Sequence, residues 1–172
     1  MTDDSLGHLR LALNDDPMDI TIPAALNTLS AGGSAMKSMT SWWKKSRGDS
    51  RALVGELKDI LSYLDMVALD NVPLGDVAEK LSVAEYKRLS REGFNFNKLI
   101  RAKIPHYPSL GGTDLESWGG KETEALVVSI YDKVNEIKLR FPHVGNSGKY
   151  RWDIRVNNIR KRIWLLLKHV NG

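Results

Sequence analysis

Residues 150–170, YRWDIRVNNIRKRIWLLLKHV, decide the fold. On a helix at about 100° per residue, Trp152, Val156, Ile159, Ile163, Leu167 and Val170 form one broad apolar face. Arg151, Arg155, Asn158, Arg162 and His169 fall within roughly 40° of a single direction beside that face. Ile154 and Leu165 sit on the other flank of the polar stripe, so it runs between two apolar surfaces. A row of donors in that position is either held by partners inside the protein or kept for an anion.

Helical periodicity continues toward the N-terminus. Leu126, Ile130, Val134, Ile137 and Phe141 predict a helix from Glu122 to Phe141, which Pro142 is expected to stop. The Gly145-Asn146-Ser147-Gly148 turn then brings the chain back, so the last two helices are expected to form an antiparallel hairpin. Residues 94–121 hold Ile104-Pro105-His106-Tyr107-Pro108, Gly111-Gly112 and Gly119-Gly120, and they read as one long irregular loop pinned by its aromatics. Before it, Ser82-x-x-Glu85 reads as a capping box opening a short helix that Gly93 closes. Leu53, Leu57, Ile60, Leu61, Leu64 and Val67 make the stripe of a longer helix, with Glu56, Lys58 and Asp59 placed largely away from it and Asn71 and Pro73 at its end.

Ile22, Leu26, Leu29, Gly33, Met36, Thr40 and Trp43 repeat along one helical face over 22–47, with Thr21 as N-cap, Pro23 in the first turn and a weak point at Gly32-Gly33. Residues 1–21 form a polar, Asp-rich N-terminal arm, and 22–172 the bundle domain. No segment alternates as a strand would. The fold class is all-α: a single-domain bundle of four to five main helices with a C-terminal helical hairpin.

At 172 residues, 42% of them apolar and 27% charged, the chain can bury a core without staples. It has no cysteine, which excludes disulfide and thiolate chemistry. No apolar run reaches the ~20 residues that span a bilayer. Thr2-Asp3-Asp4 carries the wrong sign for a secretory signal, so a cytoplasmic location is expected. The net charge of +4 is unevenly spread. Residues 1–86 hold 8 Lys+Arg and 13 Asp+Glu (−5), whereas 87–172 hold 17 and 8 (+9). Lys149 to Gly172 carries seven basic residues against Asp153 alone. Such a split suits a partner of opposite sign.

Three readings of the basic half follow. In the first, Arg162 and His169 lie two helical turns apart on one face. Their Arg-x(4–6)-His spacing resembles the motif of the HEPN-family RNases, which are all-helical. The resemblance covers this one helix and implies cleavage of RNA without metal by residues meeting across a dimer, His169 moving protons and Arg162 stabilising phosphate. In the second, Arg151, Arg155, Asn158, Arg160, Lys161 and Lys168, extended by Lys98, Arg101 and Lys103, track a phosphate backbone without cleaving it. In the third, which the composition favours, the protein is a non-catalytic interaction or regulatory subunit whose basic C-terminal helix binds a charged partner or a second copy. A membrane role for the helix ending in Trp42-Trp43-Lys44-Lys45 ranks below burial in a core or against a partner. No phosphate loop, nucleophile elbow or metal-ligand spacing occurs, so no cofactor or metal is expected.

Overall fold

Among the described residues, 33–172 of a computed structural model, six α-helices occur and no strand. They are α1 (Gly33–Lys45), α2 (Gly48–Leu69), α3 (Leu74–Ala78), α4 (Ala84–Arg91), α5 (Thr123–Val144) and α6 (Trp152–Asn171). The fold is an all-α bundle of four long helices and two short ones. The acidic arm and the expected helix start at Thr21 lie outside the described residues.

Burial follows the periodicity. Ala35, Met39 and Trp42 of α1 are buried at four- and three-residue spacing and pack on α2 and α6. Trp43 lies across α2 instead. Gly55 makes room for it, since a Cβ there would stand 3.4 Å from the indole Nε1, and Arg51 covers the ring at 4.2 Å. The Trp-Trp pair is thus divided between the core and a surface stack. In α2, Leu53, Val54, Leu57, Ile60, Leu61 and Leu64 are buried, and Asn71, at φ 55°, turns the chain out in the left-handed region that asparagine tolerates.

Two local expectations need correction. Ser82 and Glu85 do not cap α4 reciprocally. Ser82 Oγ accepts from the Ala84 amide at 3.2 Å, but the Glu85 and Tyr86 amides donate to the Glu56 carboxylate at 2.7 and 3.3 Å. Glu56 is buried, not displayed, and Ser82 Oγ also donates to it at 3.1 Å. A residue of α2 therefore caps a helix about thirty positions away, placing its negative charge at the positive end of the α4 dipole. The close of α4 is as expected: Gly93 at φ 72°, with Gly93 N donating to Ser90 O and Phe94 N to Leu89 O.

The second correction concerns Pro142, which does not end α5; the helix runs to Val144 with the proline inside its last turn. There the missing N–H removes only one hydrogen bond, and the stop comes at Gly145, at φ 51°, whose amide closes on Phe141 O at 2.8 Å. Trp152 then ties the hairpin shut, its indole donating to Gly145 O at 2.8 Å and its ring meeting Phe141 edge-on. The cross-helix pairs Thr123–His169, Ser129–Arg162 and Glu136–Arg155 descend α6 as they ascend α5, which makes the two helices antiparallel.

Residues 94–121 form three single-turn 3-10 helices joined by irregular chain, with Phe96, Ile104, Leu110, Leu115 and Trp118 buried. Its ends are fastened by Ile104 N to Lys121 O, Gly120 N to Ile104 O and Thr123 N to Ala102 O, at 2.8 to 2.9 Å. Aliphatic side chains as well as rings hold this loop to the body.

Candidate functional site

The polar stripe of α6 changes character along its length. Arg151, at the open end, is exposed and pairs with Asp153 at 3.1 Å. One turn on, half-buried Arg155 donates to Tyr150 O at 2.8 Å and to Glu136 on α5 at 2.5 Å. Arg162, also half-buried, donates through Nε to Ser129 Oγ at 3.1 Å and through Nη1 to Asn158 O at 2.9 Å. Its guanidinium lies 5.7 Å from the Trp118 ring centroid.

His169, at the far end, is fully buried. Its Nε2 lies 2.9 Å from Thr123 Oγ1 and 3.2 Å from Arg101 O, and Thr123 Oγ1 in turn donates to Arg101 O. With that hydroxyl proton directed at the carbonyl, Nε2 carries the imidazole proton and Nδ1 is a bare acceptor with no partner among the described residues. Burial pulls the imidazole pKa below its ordinary value, and the nearby Arg101 charge pushes the same way against the hydrogen bond to Arg101 O. The ring is neutral and enclosed, and it fastens the loop to the hairpin.

The remaining predicted contacts separate. Arg160 lies inside, 2.7 Å from Asp65 of α2 and 3.0 Å from Asn157 Oδ1. Lys161 reaches Asp114 at 3.2 Å, and Lys168 lies over the rings of Tyr107 and Trp164 at 5.0 and 5.6 Å. Lys98, Arg101 and Lys103 are exposed on the loop and enter no ion pair among the described residues. Arg162 and His169 share a helix face but not an environment: one opens on the seam with α5, the other is sealed beneath residues 101 and 123.

That seam brings together a group the α6 pattern alone did not reveal. Ser129, Lys133 and Glu136 occupy one face of α5 at four- and three-residue spacing. Arg162 bonds Ser129 and Arg155 bonds Glu136, so Lys133 lies between two guanidinium groups. Lys133 is half-buried and makes no hydrogen bond or ion pair in the described structure. Burial and then the charge of Arg162 pull its pKa down, Arg155 adding to this and Glu136 and Asp132 opposing it. Burial likewise lowers the pKa of Arg162, with Asp114 opposing. Lys121 extends the line, its ammonium 4.7 Å from the centroid of the same Trp118 ring, and Arg140 extends it at the other end, 3.6 Å from Glu136.

Compared with protein-family models, curated proteins and solved structures, the chain matches none. Function therefore rests on this geometry alone. Among the described residues no three His, Asp or Glu side chains gather to hold a metal ion, and no helix is long and apolar enough to cross a membrane. A recess of about 570 Å³, lined by Trp43, Arg51, Glu56, Asp59, Ser82 and Glu85, mixes both charge signs around the α4 cap. Its buried carboxylate is already engaged by three donors.

Proposed function

We propose that this protein is a non-catalytic interaction module that docks an acidic partner on the cationic face of the α5–α6 hairpin. The observation that carries the reading is the charge imbalance of that face. Lys121, Arg162, Lys133, Arg155 and Arg140 follow one another along it, and among the described residues one carboxylate, Glu136, forms ion pairs with any of them. Arg162, Lys133 and Arg155 are half-buried, and gathering like charges on such positions is unfavourable unless an anion offsets them. Outside that face Arg151, Arg160 and Lys161 each have a carboxylate of their own within 3.2 Å and Lys168 lies over two rings, whereas Arg155 and Arg140 share Glu136.

The test mixes salt-washed protein with labelled single-stranded RNA, duplex DNA and polyglutamate, without metal, and reads native and denaturing gels together. Expected are a shift of at least one polyanion that weakens steeply with salt, full-length probes, and weaker binding by Lys121→Glu/Arg140→Glu, both exposed positions. Shortened RNA, or unshifted probes throughout, would overturn the reading.

A further inference from the structure

The seam has the donors of a specific oxyanion seat as well as a diffuse field. At Arg162, Nε and Nη1 donate to Ser129 Oγ and Asn158 O, and Nη2 has no partner among the described residues. Among the described residues none of the Lys133 ammonium protons is donated to a partner. These donors come from two helices. A carboxylate is planar and is best met by the fork of one arginine. Here the Nε side of that fork is already committed, whereas a tetrahedral oxyanion can accept from several directions at once.

We propose that Lys133, Arg162 and Ser129 seat one phosphoryl group of a nucleic-acid duplex, held by its backbone. This rests on the acidic-partner reading and narrows it. A repeating phosphate ligand is favoured over an isolated one because further cations lie on both sides of the seat, with Arg155 two helical turns, about 10 Å, from Arg162. A duplex is favoured over an unpaired strand because, among the described residues, the face offers no free ring. Trp118 is buried with Arg162 and Lys121 over it, and Trp152 is buried against Tyr150, with Arg155 covering both. Unpaired bases need such rings to stack on; a duplex held by its phosphates does not.

The experiment is a fluorescence-anisotropy titration of a labelled 20-base-pair DNA duplex across a sodium chloride series. It compares the full chain with Lys133→Gln and with Lys44→Gln, an exposed position on α1, with polyglutamate of matched charge and inorganic phosphate as competitors. Lys133 makes no hydrogen bond among the described residues, so Lys133→Gln retains the fold, which a thermal melt verifies. Removing one phosphate contact should lower the slope of log K against log salt by about 1 and weaken binding about eightfold at 0.1 M salt. Lys44→Gln should change neither. Equal competition by polyglutamate, lost in Lys133→Gln, would overturn the phosphoryl assignment while keeping the acidic-partner reading. Duplex binding indifferent to Lys133→Gln would overturn the seat, and binding of neither polyanion would overturn both readings.

Discussion

Replacing Glu56 by alanine tests the helix cap that joins α2 to α4. The carboxylate accepts from Ser82 Oγ at 3.1 Å, from Glu85 N at 2.7 Å and from Tyr86 N at 3.3 Å while remaining 6% exposed. Each hydrogen bond to a charged acceptor is worth about 1.5–3 kcal/mol, the long one to Tyr86 the least. Two terms work against the full sum. The variant no longer has to desolvate a carboxylate, and water can reach the orphaned amides through the adjoining 570 Å³ recess. What remains is about 3 kcal/mol, above the ~2 kcal/mol upper end for loss of an ordinary N-cap because one buried carboxylate serves two amides and a hydroxyl. In a domain of this size each kcal/mol moves Tm by about 2–4 °C, so Glu56→Ala should melt about 6–12 °C lower. Glu56→Gln keeps a neutral acceptor and should fall between. Hydrogen exchange locates the effect: the Glu85 and Tyr86 amides should lose protection first. A Tm within 2 °C of the parent, with those amides still protected, would refute the cross-helix cap.

Two further outcomes follow from buried charge. Asp65→Ala removes the carboxylate 2.7 Å from buried Arg160 and should cost about 3 kcal/mol in a denaturant titration, whereas Asp65→Leu with Arg160→Met should recover part of the loss; equal losses would refute the pairing. For His169 the folded pKa lies below the unfolded value, so the ring contributes nothing to the pH dependence where both states are neutral. As pH falls through about 6.5, the unfolded chain takes up a proton that the folded chain resists, and stability declines toward the folded pKa. His169→Gln should flatten the fall in Tm between pH 7 and 5.5, and an unchanged acid limb would refute the role of the buried imidazole.

The apolar stripes made the long helices legible, because period and burial agree at residues such as Leu57, Ile130 and Ile163. What escaped were polar residues inside those stripes. Glu56 is three positions after Leu53 and four before Ile60, so its spacing put it on the buried flank even though its charge suggested the surface. Arg160 follows Val156 by four and precedes Ile163 by three, and it too lies within the apolar face, matched by Asp65 from another helix. A pattern on one helix identifies the flank but not the partner that makes burial tolerable. That information is tertiary, as is the meeting of Lys133 with the α6 arginines.

The polar stripe of α6 posed a choice between internal partners and an anion, and the gradient of burial along it divides the answer. Toward the C-terminus the 94–121 loop lies over the stripe, and His169 is closed in by Arg101 O and Thr123. At the N-terminal end Arg151 stands in solvent beside Asp153, where screening leaves the pair little value. Between them Arg155 and Arg162 are too buried to be fully hydrated and, with Lys133, are only partly neutralised by Glu136. This middle segment is where an added anion gains most, because solvent screening is weak there and Glu136 pairs with Arg155 but with neither Lys133 nor Arg162. Relieving the repulsion by Lys133→Gln should therefore raise Tm without ligand and reduce the further rise that duplex DNA produces. A variant no more stable than the parent when free, and equally stabilised by the duplex, would show that the seam carries no unmet charge.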